Sequence, residues 1–380
     1  MSLVASKNIK WRTFLKIISP NIFFPRMLLE EYKEYFEKAH SKLSPCDSIF
    51  VCMFDDIKSY AFTQNKVIIF YIDTFFDHRQ IEDYVEVFNL HKDKQFYVFS
   101  DKFNLQSDMY APNCKHFQIG LGDQSVLQLG THATAVEDKN FDSDCIGISL
   151  NRQPRNFRLM LISYLLGINF NQHCRITAPL LQTRIKEEKN ILNICNYDFY
   201  DYTDTILKGW EKAKQNDGIT DTTDAWEPIN VKEKVKSDET VNPLENYNLR
   251  LTPMFKNSFV EVVCETNYDY NFSCITEKTM QNQLGKNFPL YMCNTGYVKY
   301  LRDNGFDCFD DIIDHSYDKE TDPILRMVKM IQDNKMLFID TEKTKNLWIK
   351  NSNRFDYNVK CLVKIYTDIS NKIKNVLDEL

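Results

Sequence analysis

The segment 259–309 constrains the fold of this 380-residue chain more than any other part of it. An apolar run, FVEVVC, ends in the acid Glu265, and a polar stretch then leads to Thr-Glu-Lys at 276–278, which is typical of a helix start. Gly285 and Pro289 mark the return to a second apolar run. This order of elements predicts a parallel βαβ unit of an α/β fold. Because ligands of such sheets bind beyond the carboxyl ends of the strands, we expect a site near Glu265.

The segment 146–158, with the sequence IGISLNRQPRNFR, has the same construction. A short apolar strand precedes a basic loop with Arg152, and apolar spacing predicts a helix from Arg155 onward. The planar fork of an arginine grips phosphate oxygens in pairs, so Arg152 and Arg155 are candidate anion ligands, with Arg158 as a third. A solvated basic loop is the alternative explanation.

These two segments carry a resemblance to a known family. The matching residues are Glu265, Thr276, Glu277, Lys278, Gly285, Pro289, and the Leu-Arg-x-x-Gly-Phe pattern at 301–306. The pattern resembles the nucleotide-sugar-binding half of glycosyltransferases of the two-domain GT-B type. It is most similar to a viral and bacterial group distantly like the α1,3-fucosyltransferases. The resemblance covers roughly 145–180 and 255–335, under a third of the chain.

The resemblance implies two Rossmann-like domains facing a cleft, with the donor, a UDP- or GDP-linked sugar, on the second. Glu277 then accepts hydrogen bonds from the ribose, and Lys278 meets the diphosphate. Glu265 contacts sugar hydroxyls, and Thr276 completes the expected donor site. The alternatives are a helix-start acid for Glu277, which favours the macrodipole, and a strand-end capping role for Glu265.

The base that deprotonates the acceptor is expected in the first domain. Asp55 and Asp56 directly follow the apolar run at 48–54, and Asp73 and His78 are weaker candidates. A carboxylate at a strand end beside a dry cleft acquires the raised pKa that base catalysis needs. Aspartates in turns after strands also occur for capping alone.

No metal ligand set is visible in the sequence. The seven histidines lack paired ligand spacing, and Asp-Ser-Asp at 142–144 precedes its strand, whereas a metal motif should follow one. We therefore expect no metal and no cofactor beyond the nucleotide sugar. The net charge of −6, without a run of five Lys or Arg, is atypical of nucleic-acid binders. The expected acceptor is a glycan or glycoconjugate.

The expected domains are an acceptor domain at 1–135 and a donor domain at 145–350 with a polar insertion at about 216–244. A closing helix at 351–380 is expected to pack back on the first domain. Eleven cysteines without paired spacing predict reduced core thiols and hence a cytoplasmic enzyme, in the host cytoplasm if viral. No run of 18 apolar residues exists, so we expect no membrane-spanning segment. An apolar stretch with interspersed basic residues at 11–24 allows peripheral membrane contact.

The overall prediction is a metal-independent glycosyltransferase, with inverting displacement at the anomeric carbon preferred. One alternative keeps the fold and glucosylates modified bases of viral DNA, which requires a basic cleft and salt-sensitive DNA binding. The other is a protein of another class, an inert sugar-nucleotide-binding or structural protein with the same fold.

Overall fold

The described residues form an α/β fold that includes two four-stranded parallel sheets. The structure is a computed structural model. It describes residues 48–52, 66–71, 85–100, 112–118, 135–144, 146–151, 156–178, 181–182, 185, 200–220, 226–228, 249–251, 253–265, 268 and 276–379. The chain divides into two compact units. The first unit comprises Met1–Gly130, Phe272–Glu277 and Lys364–Leu380, and the second comprises Thr131–Asn271 and Lys278–Val363.

The strands of the described residues are numbered in chain order. They are β1 (Ser48–Cys52), β2 (Lys66–Tyr71), β3 (Gln95–Ser100), β4 (Cys114–Gln118), β5 (Gly147–Leu150), β6 (Cys174–Thr177), β7 (Trp226–Pro228), β8 (Leu249–Leu251), β9 (Val260–Cys264) and β10 (Phe288–Met292). The α-helices given labels are α1 (Asn156–Gly167), α2 (Thr203–Lys214), α3 (Pro253–Lys256), α4 (Glu277–Gly285), α5 (Tyr297–Asp303), α6 (Pro323–Asn334), α7 (Met336–Ile339), α8 (Thr341–Lys350) and α9 (Ser352–Glu379).

The first unit contains a parallel sheet with the order β1-β2-β3-β4. Its strands are short and rich in β-branched and aromatic residues, as in KVIIFY of β2 and QFYVFS of β3, which favours a pleated surface. Phe88, on the helical residues 85–90, lies against Phe96 of β3 with ring centroids 4.5 Å apart. Both side chains are fully buried, so this pair forms part of the core of the unit.

The second unit contains a parallel sheet with the order β10-β9-β5-β6. Every residue of β9 and β10 is buried. Continuous burial of this kind means that both faces of the sheet are covered, as parallel sheets require. β6 lies on one side of β5, whereas β9, which comes later in the chain, lies on the other side. The strand order therefore reverses between β5 and β9.

Helices α1 and α2 pack closely against each other at two glycines. A methyl group added to Gly209 would overlap the carbonyl oxygen of Ser163, and one added to Gly167 would overlap that of Thr205. The two backbones are therefore in direct contact, and a side chain at either glycine would push the helices apart. Nearly the whole of α1 is buried, which explains why its sequence, NFRLMLISYLLG, is apolar on every side.

An aromatic cluster links the last helices of the second unit to its sheet. Phe355 of α9 lies 5.0 Å from Phe288 of β10, 4.7 Å from Phe309 and 5.6 Å from Trp348 of α8, between ring centroids. Phe288, Phe309 and Phe355 are almost completely buried. Such rings bury large apolar areas, so this cluster is a main source of packing free energy in the unit.

The structure shows what forms at the start of α6 and within the polar segment 216–244. Asp322 followed by Pro323 is a typical helix start, and α6 begins there; the Asp322 side chain accepts a hydrogen bond from the Leu325 amide at 2.8 Å, as an N-cap should. The strand β7 lies inside the segment 216–244 and pairs antiparallel with β8. The packing of the closing helix on the first domain remains a prediction. Among the helices that the structure describes, none has both the length and the apolar character to cross a bilayer.

Candidate functional site

The reversal of strand order between β5 and β9 marks the place where a site is expected. In open α/β sheets, the segments that follow the two strands at such a reversal separate and leave a crevice at the carboxyl edge. Here Asn151 directly follows β5 and Glu265 directly follows β9, and both side chains are fully buried. The two strands are paired in register, with Ser149 opposite Val262. The first sheet shows no such reversal among its described strands.

Glu265 is held by two hydroxyl groups. Its Oε1 accepts hydrogen bonds from Thr279 Oγ1 at 2.5 Å and from the Tyr297 hydroxyl at 3.1 Å. The two hydroxyl oxygens are themselves 2.8 Å apart. Thr279 lies on α4 and Tyr297 opens α5, so the carboxylate joins the helices that follow β9 and β10. Burial raises the pKa of Tyr297 well above its ordinary value, and the negative charge of Glu265 adds to this effect, so the hydroxyl keeps its proton and donates.

Two cations lie near the end of β9. Arg158, buried on the first turn of α1, donates from Nη2 to the carbonyl oxygen of Cys264 at 3.0 Å. Lys278 is the second residue of α4 and is partly exposed. Burial raises the pKa of the Cys264 thiol to about 11, while the charges of Arg158 and Lys278 act in the opposite direction. Both cations are therefore within electrostatic range of the carboxyl end of β9, where an anion would gain from them.

A buried polar network lies at the other end of α4. Lys139 Nζ contacts four oxygens at 2.5–2.7 Å, among them the carbonyls of Phe255, at 2.6 Å, and of Gly285, the last residue of α4, at 2.5 Å. Burial lowers the pKa of Lys139 well below its ordinary value, and Glu261 opposes this shift. Four acceptors leave no direction open for a nitrogen lone pair, so the contacts favour the ammonium form. The ammonium group thus caps the carboxyl end of α4.

The Glu261 carboxyl belongs to the same network. It is buried within β9 and accepts a hydrogen bond from Asn282 Nδ2 at 3.1 Å. Burial raises its pKa to about 8, against the lowering effects of Asn282 and Lys139. Lys139 lies in the polar, acidic stretch 136–144, whose composition predicts an exposed joint, yet its side chain is 5% exposed, because oxygens from α3, α4 and the turn before β9 enclose it.

A groove of about 900 Å³ lies beside α5. Several of its charged groups are paired within the fold: Arg302 forms two hydrogen bonds with the Asp310 carboxylate, at 2.8 and 2.6 Å, and Lys299 pairs with Asp303 at 2.5 Å. Asp318 accepts from the first amides of α5, at 3.0 Å from Val298 N. Because these charges already satisfy one another, we place the candidate site at the end of β9 rather than in the groove.

His315, on the wall of the groove, belongs to a fixed relay. Its Nε2 lies 2.8 Å from the carbonyl oxygen of Cys308, which only accepts, so Nε2 carries the proton. Its Nδ1, 3.1 Å from the Tyr317 hydroxyl, then accepts from that hydroxyl, which in turn accepts from the Tyr291 amide. Burial lowers the pKa of His315, and the relay has no place for a second proton.

The predicted site residues divide into two groups. Asp55, Asp56, Arg152 and Arg155 lie outside the described residues, as does the side chain of Glu277. Of the other candidates, Arg158 is in the first turn of α1, Glu265 directly follows β9, Thr276 is buried immediately before α4, and Lys278 is in the first turn of α4.

Thr279 and Tyr297 were missed as candidates in the sequence. Thr279 reads as an ordinary polar residue of a helix, and Tyr297 is one of 20 tyrosines. They reach Glu265 from 14 and 32 residues away, and no local pattern encodes such partners. The one signal available in the sequence is that Thr279 is a polar residue directly after the predicted helix start at 276–278.

Comparison with known families, curated proteins and solved structures gives no match. Within the described ranges, no group of three or more His, Cys, Asp or Glu side chains is arranged to hold a metal ion.

Proposed function

We propose that this chain is a glycosyltransferase of the GT-B type, with two Rossmann-like domains, that moves a sugar from a UDP- or GDP-linked donor to a hydroxyl of a glycan or glycoconjugate. The proposal is supported by the doubly wound order of the second sheet. The observation that carries it is the placement of Arg158, Lys278 and Glu265 around the carboxyl end of β9, next to the strand reversal.

Negative charge develops on the diphosphate as its bond to the sugar breaks, and the protein has to stabilise that charge. The acceptor oxygen attacks the anomeric carbon, the bond from that carbon to the diphosphate breaks, and the diphosphate leaves with the electron pair. Lys278, Arg158 and the amide groups at the start of α4 are proposed to stabilise this growing charge without a divalent cation. Arg152 and Arg155, which precede α1 in the sequence, are proposed to add to it.

The remaining roles follow the family resemblance. Glu277 is proposed to bind the ribose hydroxyls, and the acceptor proton is proposed to pass to Asp55 or Asp56, with inversion at the anomeric carbon. Glu265 is fully buried and accepts hydrogen bonds from Thr279 and Tyr297. This suits a residue that supports the wall of the sugar pocket or contacts one sugar hydroxyl at the edge of that pocket. A buried carboxylate with fixed donors keeps one orientation, as selective binding requires.

A thermal-shift panel of UDP-, GDP- and CMP-sugars tests the proposal. A donor present at 100 times its Kd stabilises the folded protein by about 2.7 kcal/mol, which raises the melting temperature by several degrees. We expect Lys278→Met to weaken donor binding at least about tenfold, because a charge-assisted phosphate contact contributes roughly 1.5–3 kcal/mol. The matched control is Lys343→Met, at an exposed position of α8, which should bind like the wild type.

The outcomes separate the alternatives. No shift with any donor overturns the proposal. Donor binding without release of nucleoside diphosphate, in the presence or absence of glycan acceptors, supports an inert binding protein instead. Association with duplex DNA that weakens steeply with salt would support the DNA-modifying enzyme.

A further inference from the structure

The buried side chain of Arg326, on α6, forms hydrogen bonds with the segments that follow strands β9 and β10 at the carboxyl edge of the second sheet. Its Nη1 donates to Thr295 Oγ1 at 2.9 Å and to the carbonyl oxygen of Glu320 at 2.7 Å. Its Nη2 donates to the carbonyl oxygen of Tyr268 at 2.9 Å. Tyr268 lies four residues beyond β9 and Thr295 three residues beyond β10, so one side chain joins the segments that follow both strands.

The contact continues through Tyr268 to α1. The Arg326 guanidinium lies 4.7 Å from the centroid of the Tyr268 ring, and the Tyr268 hydroxyl donates to the carbonyl oxygen of Pro323. This ring also lies against Phe157, nearly parallel at 18° and 5.4 Å between centroids. Phe157 precedes Arg158 in the first turn of α1. The segments that follow β5, β9 and β10 therefore meet through Arg326 and Tyr268.

Stability alone does not explain an arginine at this position. Arg326 is 4% exposed, and its hydrogen-bond acceptors in the described part of the chain are carbonyl oxygens and one hydroxyl rather than carboxylates. Burying a guanidinium against neutral acceptors has a high desolvation cost, whereas Met or Leu would fill the same volume without it. What arginine alone supplies is a rigid fork that fixes several partners at once.

We propose that Arg326 is a positioning residue for the donor site: its fork sets the spacing of the segments that hold Arg158 and Glu265, so that they receive a nucleoside diphosphate without rearrangement. The inference rests on the proposed function, because it assigns the donor site to this edge. Preorganisation of this kind improves affinity, since the protein does not have to order its segments when the ligand binds.

The test compares the wild type with Arg326→Met, Arg326→Lys and the control Lys329→Met. Lys329 lies one turn further along α6 and pairs with the Glu320 carboxylate at the surface, so the control removes a contact to the same residue without touching the fork. Binding of UDP and of GDP is measured by calorimetry. Hydrogen exchange of the peptides that contain Tyr268 and Thr295 is measured on the same free proteins.

We expect both Arg326 variants to bind the diphosphate at least about tenfold more weakly and to exchange faster in both peptides, with the rest of the chain unchanged. Arg326→Lys keeps the charge and loses the fork, so wild-type affinity and exchange in this variant would overturn the proposal. Lys329→Met should match the wild type in both measurements. Wild-type affinity in a folded Arg326→Met protein also overturns the positioning role and leaves the proposed function standing.

Two further results keep the test decisive. If Arg326→Met does not fold, Thr295→Val at an exposed position removes one acceptor of the fork, and unchanged affinity and exchange in that variant would overturn the proposal. If the wild type binds neither UDP nor GDP, the proposed function fails, and the donor role of Arg326 fails with it. Exchange in the two peptides then still decides whether Arg326 holds these segments together.

Discussion

At the scale of single residues, one buried network of the second unit contains two ionisable groups, and the free energy of burying their charges affects how stability depends on pH. Glu261 and Lys139 are both almost completely buried and share the network at the carboxyl end of α4. Lys139 is satisfied by four oxygens, so its charge is compensated by dipoles. Glu261 accepts a hydrogen bond from the Asn282 amide, and burial opposes its ionisation.

The raised pKa of Glu261 predicts a loss of stability with rising pH. Its carboxyl group has a pKa of 4.5 in its ordinary state and about 8 in the folded protein, so between these values the folded state holds a proton that the unfolded state has released. The free energy of unfolding therefore falls as pH rises through this window, by at most about 1.4 kcal/mol per pH unit. Glu261→Gln has no such proton, so its stability relative to the wild type should increase from pH 4.5 to 8.

Urea unfolding midpoints at several pH values measure this difference. The matched control is Glu342→Gln, on the first turn of α8, whose carboxylate is exposed. It should leave the pH dependence of the wild type unchanged. Parallel curves for Glu261→Gln and the wild type would show that Glu261 is ionised in the folded protein throughout this range.

At the scale of elements, the contact between α1 and α2 depends on backbone approach rather than on side-chain packing. We predict that Gly209→Ala destabilises the protein by roughly 1–3 kcal/mol or more, since the new methyl group overlaps the carbonyl oxygen of Ser163. Alanine gains about 1 kcal/mol in helix propensity over glycine. The overlap outweighs that gain, because a backbone carbonyl within a buried helix cannot turn aside as a flexible side chain would.

Unfolding of Gly209→Ala by urea, compared with Lys208→Ala, measures this effect. Lys208 is the neighbouring residue of α2 and is exposed, so its replacement should change stability by less than about 0.5 kcal/mol. A Gly209→Ala protein as stable as the wild type would mean that the two helices separate without loss of packing.

At the scale of the whole molecule, the proposed chemistry relies on cations that the chain itself supplies. We predict that donor hydrolysis or sugar transfer by the full chain changes by less than about twofold in millimolar EDTA, because in the proposed mechanism Lys278, Arg158 and the start of α4 take the place of a Lewis acid. Addition of Mg²⁺ or Mn²⁺ after EDTA is the control. Activity that is lost in EDTA and restored by either cation would contradict the prediction.

The elements of the second unit could be predicted closely from the sequence. An apolar run with β-branched residues predicted a strand at 259–264, where β9 is Val260–Cys264, and apolar spacing predicted a helix at 155–166, where α1 is Asn156–Gly167. Asp322 followed by Pro323 is likewise a helix-start pattern in the local sequence, and α6 begins there. These features depend on neighbours within a few residues, so the local sequence contains them.

The sequence by itself thus determined the α/β class, the strand that ends at Glu265 and the helix that begins beside Lys278. Tertiary structure alone decided which distant groups meet there: Tyr297 reaches Glu265 across 32 residues, and Arg326 reaches Tyr268 across 58. It also buried Lys139, from a stretch whose composition predicts an exposed joint. The physical reason is that periodicity and capping act over a few residues, whereas a buried polar group takes its partners from whichever segments the folded core brings into reach.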